Sequence, residues 1–213
     1  MFLGKNWSWA KILEVLNDDN EIQKITIITY NYDVFLERIL KLLNIEYSVL
    51  NDDKKFTIIK PHGSISFCSK TKMQDAPVIR YSEDFTRGKI CDLQVYYDER
   101  MAQANAMNTI IPPASDSNRD FEGWAASFRK QAIDAAKELK HGDIIVICGI
   151  SYQHVDRHEI DRILLNAGKS SNEELHVIQV NPNPSSALNS VLSCLFDHIL
   201  GNYILNFPHT LIT

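Results

Sequence analysis

Apolar residues along this chain fall into two rhythms: short unbroken β-branched runs, and longer stretches with an apolar side chain every three or four positions. The runs are Ile25-Thr26-Ile27-Ile28, Phe56-Thr57-Ile58-Ile59, Ile144-Ile145-Val146-Ile147-Cys148 and Leu175-His176-Val177-Ile178-Gln179-Val180. Runs of that length without polar alternation predict strands buried on both faces, the habit of parallel sheets. Ile45 to Leu50 predicts another short strand. Asn108-Thr109-Ile110-Ile111 predicts one more, stopped by Pro112-Pro113 because proline cannot extend a hydrogen-bond ladder.

The helical spacing appears in five places. Trp7 to Leu16 carries Trp9, Ile12, Leu13 and Leu16 on one stripe, and Phe35, Leu36, Ile39, Leu40 and Leu43 follow Asp33, a candidate N-cap. Phe121 to Leu139 carries Trp124, Phe128, Ala132, Ala135 and Leu139. A helix is expected from about Asp156 to Asn166, and another through Leu188, Val191, Leu192 and Leu195. Between Cys68 and about Asp98 the periodicity fades, which predicts an irregular insertion over about 68–107, with a helix from Tyr97 to Met107 covering the site described below. Strands alternating with helices predict an α/β chain of βαβ units, a mainly parallel sheet and a single domain over residues 1–213.

Composition narrows the function. With 213 residues, 45% apolar and 23% charged, the chain has the make-up of an ordinary globular domain. Its net charge of -5 offers no basic field for a phosphate backbone, so direct nucleic-acid binding is not expected. No apolar run reaches membrane-spanning length, and the amino terminus lacks a secretory pattern, so a cytoplasmic location is expected. Cys68, Cys91, Cys148 and Cys194 stand singly, with no C-x-x-C pair for zinc or redox chemistry, and are expected to be mostly small buried hydrophobes.

Polar groups stand where the apolar strands stop: Thr29, Asn31 and Asp33; His62 and Gly63; Gly149 and Ser151; Asn181. In one parallel sheet all these ends share an edge, where open α/β sheets place their ligands. His62 can accept a proton from water or a sugar hydroxyl, and Asn31 can orient that group because an amide both donates and accepts. Gly149 permits close approach to a phosphate or ribose, and Ser151 can donate at a helix start. The bland alternatives are a turn histidine at 62 and an Asx-turn with a cap at Asn31 and Asp33. Two weaker patterns are Gly149-Ile150-Ser151-Tyr152-Gln153, a nucleophile elbow without its second glycine, and His154 with His158, a metal pair or simply a solvated helix start.

Thr29-Tyr30-Asn31-Tyr32-Asp33 resembles the T-x-N-x-D signature of sirtuin-like domains, and Lys60-Pro61-His62-Gly63-Ser64 resembles their K-x-H-G-S element. Ile111-Pro112-Pro113, the helix around Trp124, Cys148-Gly149-Ile150-Ser151 with Asp156, and Val180-Asn181-Pro182-Asn183-Pro184 follow in the order of the bacterial sirtuin-like branch, over about residues 10 to 200. That branch consists largely of NAD-consuming hydrolases of antiphage defence. The resemblance implies a Rossmann-like fold with helices on both faces of its sheet, NAD as substrate and no metal. It implies catalytic roles for Asn31, His62 and Asp33, and NAD contacts from Thr29, Gly63, Gly149, Ser151 and Asn181. It also implies a homo-oligomer or a partner defence protein. The family's glycine-rich G-A-G-x-S loop should precede residue 10 and has no counterpart in this sequence, so an N-terminally truncated domain is expected. The alternative is an inactive sirtuin-like module for oligomerisation or partner recognition.

Overall fold

The computed structural model describes residues 8–70, 88–102, 109–111, 123–170, 175–181 and 185–200. The fold is α/β with mostly parallel strands, and it divides into two compact units. One comprises Met1–Pro112 with Asp120–Ala132, the other Pro113–Arg119 with Ile133–Thr213.

The first unit opens with helix α1 (Ser8–Asp18), strand β1 (Ile25–Ile28) and helix α2 (Phe35–Leu42), followed by β2 (Tyr47–Ser48) and β3 (Phe56–Ile59). The strands form a parallel sheet in the order β1-β3-β2, with Ile25 opposite Phe56, Ile28 opposite Ile59 and Tyr47 opposite Phe56. All four residues of the central strand β3 are buried, as its unbroken apolar run requires. Strand β2 keeps only two of the six residues expected between Ile45 and Leu50.

Part of the stretch expected to be irregular is ordered. Strands β4 (Phe67–Ser69) and β5 (Leu93–Val95) pair antiparallel, and Ile90–Asp92 and Glu99–Ala102 form single 3-10 turns. The helix expected from Tyr97 to Met107 is therefore only a 3-10 turn among its described residues, while residues 103–108 lie outside them. The strand expected at Asn108–Ile111 is reduced to one bridge between Gly63 and Ile110.

Helix α3 (Trp124–Lys137) confirms the most helical segment of the sequence. Its residues Trp124 and Phe128 are fully buried with Phe67, the Phe67 and Phe128 rings stacking at 5.3 Å between centroids. Trp124 meets both edge-on, at 6.1 and 6.4 Å.

In the second unit, β6 (Ile144–Cys148), β7 (His176–Val180) and β8 (His198–Leu200) form a parallel sheet in that order. Helix α4 (His154–Ser170) follows β6 and exceeds its expected span at both ends. Helix α5 (Ser186–Leu195) follows β7, and the Ser185 hydroxyl caps it by accepting from the Leu188 N–H at 3.4 Å. Register puts Ile144, His176 and His198 in one row and Ile145, Val177 and Ile199 in the next. Val177 and Ile147 are buried, whereas Ile144 and Val146 on the other side are 57% and 52% exposed.

The cysteine expectation needs correction. Cys68 alone is buried; Cys91, Cys148 and Cys194 are exposed, all four as free thiols. Cys148 is exposed because its position on β6 alternates with buried Ile147 and so shares the open side with Val146.

Candidate functional site

The residues singled out in the first unit converge at the carboxyl ends of adjacent strands. The Thr29 N–H donates to the Ile59 carbonyl at 3.0 Å, continuing the β1–β3 ladder one step past β1. Asn31 and His62 thus follow from neighbouring hydrogen-bonded strands that point the same way. The loop after β1 is tightened by the Thr29 hydroxyl, which accepts from the Asn31 N–H at 3.2 Å. Asn31 itself is exposed.

Asp33 is not the N-cap. Helix α2 begins at Phe35 with Val34 in the cap position and no side-chain cap bond; the Asp33 carboxylate instead accepts from the Phe35 N–H at 3.0 Å. That two-residue reach is an Asx-turn, the local alternative that short carboxylates offer to a backbone entering a helix.

His62 is 3% exposed. Its ring meets that of Tyr30 edge-on at 4.8 Å between centroids and lies nearly parallel to that of Tyr32 at 6.5 Å. Its carbonyl accepts from the Ile111 N–H at 2.9 Å, and the Tyr32 hydroxyl donates to the Ile111 carbonyl at 2.6 Å. Gly63, at φ +86°, makes the turn that this packing demands. A Cβ there would sit 1.9 Å from the Thr109 carbonyl oxygen and 2.9 Å from the Trp124 ring, so both conformation and space select glycine.

Beneath the two loops lies a feature that motif reading passed over. Lys60 and Glu37 form an ion pair at 2.7 Å with side chains no more than 1% exposed. The carboxylate is close to the ammonium without being an aligned hydrogen-bond acceptor. The Lys60 ammonium also donates to the Asp33 carbonyl and, at 3.2 Å, to the Ser64 hydroxyl. Ser64 in turn donates to the Tyr32 carbonyl at 3.2 Å. The available signal was helical spacing: Glu37 lies three residues from buried Val34 and three from buried Leu40, on an apolar stripe where a carboxylate needs a partner.

The second unit holds the remaining candidates. Gly149, at φ +63°, ends β6 and its N–H donates to the Val180 carbonyl at 3.0 Å. Asn181 is buried, and its amide donates to the Ile150 carbonyl at 2.8 Å, so it ties the end of β7 to the loop before α4. Ser151 is exposed. The left-handed residues of that loop are Gly149 and Tyr152, at φ +52°, and not Ser151. A nucleophile elbow puts its serine at the strained turn, so that pattern fails here. His154 and His158 are both exposed, and among the described residues no group of three or more His, Cys, Asp or Glu side chains is arranged to hold a metal.

No helix among the described residues is long and apolar enough to cross a membrane. No protein-family model matches the chain, and no curated protein matches it.

Proposed function

We propose that the chain is a sirtuin-like NAD-binding domain that cleaves the nicotinamide–ribose bond, acting as an NAD hydrolase in antiphage defence. The observation carrying this is the pairing of an amide and an imidazole at the tips of two adjacent parallel strands, β1 and β3, the position where α/β sheets hold nucleotides. NAD is the substrate. The bond broken joins a cationic ring to a sugar, so nicotinamide departs as a neutral base and positive charge grows on the ribose, as in glycoside cleavage. His62 takes the proton from the attacking water or a ribose hydroxyl, and Asn31 orients that group. Asp33 acts by shaping the loop, consistent with its bond to the Phe35 N–H. Thr29 and Gly63 are the proposed contacts to NAD in the first unit, and the working form is a homo-oligomer or a complex with a partner defence protein.

The burial of His62 favours a second reading, an inactive sirtuin-like module for assembly or partner recognition, because a base enclosed by Tyr30 and Tyr32 meets substrate only if a neighbour moves. One assay separates the two. The hydrolase releases nicotinamide from NAD, and Asn31→Ala and His62→Ala each abolish release while retaining the wild-type circular dichroism spectrum. Absence of release from folded wild-type protein sinks the hydrolase reading.

A further inference from the structure

We infer that Lys60, held by Glu37, is the positioning residue of the site in the first unit, fixing the Asn31 and His62 loops against each other. The inference rests on the reading of Asn31 and His62 as the reacting pair. Lys60 lies two residues before His62, and the carbonyl it binds belongs to Asp33, two residues after Asn31. One ammonium therefore ties together two points of the chain, each two residues from the side chain it serves.

Its ammonium meets three segments: it pairs with Glu37 Oε1 on α2 as an ion pair, and it donates to the Asp33 carbonyl after β1 and to the Ser64 hydroxyl after β3. Ser64 has a single proton to give and spends it on the Tyr32 carbonyl, while accepting from Lys60. The Ile65 N–H reaches the same Tyr32 carbonyl at 2.9 Å. The two loops are thus stitched through two carbonyls, one hydroxyl and one buried cation.

Stability is a poor reason to keep such a pair. Withdrawing both charges from water costs about as much as their attraction returns, and apolar side chains of similar volume often serve the fold equally well. What methionine and leucine cannot supply is directed bonds into two separate loops. That function is geometric, and it matters most where reacting groups must be held in register.

The test is the double variant Glu37→Leu/Lys60→Met, which removes both charges and leaves neither orphaned. With NAD as the probe, kcat falls roughly 100-fold while KM stays within about twofold, since the loss is of alignment and not of binding. Hydrogen exchange at the Ile65 amide quickens at a melting temperature close to wild type. Wild-type kcat in a folded double variant overturns the inference. If the double variant does not fold, Ser64→Ala, which cuts one stitch, decides it: reduced kcat at unchanged KM supports the role, and unchanged kcat overturns it. If wild-type protein releases no nicotinamide, the hydrolase reading fails by itself. Exchange at Ile65 then decides whether Lys60 pins the loops, unaltered protection in the double variant overturning the claim.

Discussion

At the scale of single residues, the sequence marked Asn31 and His62 because amide and imidazole are rare chemistry directly after apolar strands. It gave no such mark to Tyr152. That residue adopts a left-handed backbone at φ +52°, is buried, donates its hydroxyl to Asp161 and lies under the Arg157 guanidinium, 5.0 Å from the ring centroid. Burial, and next the bond to Asp161, push the Tyr152 hydroxyl up to about 12. The folded value exceeds the unfolded value of about 10, so this contribution to stability is fully present below about pH 10 and is lost as pH rises towards 12. Tyr152→Phe removes the titrating group, and the fall in denaturation midpoint between about pH 9 and pH 11 becomes shallower than in wild type. An equal fall in both proteins would refute it. Lys60 was read only as the first position of the K-x-H-G-S element, and its pairing with Glu37 escaped notice for a related reason: a charged residue at a strand end or in a helix is ordinarily solvated, and only burial shows that these two are not.

At the scale of elements, legibility followed length and period. Helix α3 was readable because Trp124, Phe128 and Ala132 recur every four residues, and all three are buried. Phe128→Ala leaves a cavity beside Phe67 and Trp124 and costs about 3–5 kcal/mol, read from denaturant midpoints with an unchanged m-value. A loss below about 1 kcal/mol would mean that the aromatic cluster is not the core of the first unit. Strands β4, β5 and β8 have three residues each, too few for any rhythm to emerge. The partner of β4 lies more than twenty residues along the chain, so its pairing is settled by contacts that no local window contains. Strand β8 was hidden for the same reason, since only its place beside β7 makes it a strand.

At the scale of the molecule, the α/β class and the mainly parallel direction of the strands were both legible, yet the described strands divide between two parallel sheets of three and one antiparallel pair, β4–β5. Apolar runs of four or five residues specify burial without naming a neighbour, so one sheet and two sheets look alike in sequence. The proposed activity has a consequence for the intact chain that is independent of catalysis. If NAD binds the folded state alone, a concentration of 100 times Kd stabilises it by about 2.7 kcal/mol, and thermal melting in the presence of NAD reads this as an upward shift. No shift at saturating NAD, together with a shift on adding a partner chain, favours the module reading.

The sequence by itself determined where the longer helices and the buried apolar strands form, because period and side-chain shape act within a few residues, and it determined which polar groups stand at those strands' ends. Tertiary structure alone decided which strands pair, that His62 packs between tyrosine rings, and that a buried ammonium joins the two loops. Each of these depends on the desolvation and directed bonding of groups brought together from distant parts of the chain, and local sequence carries no record of either.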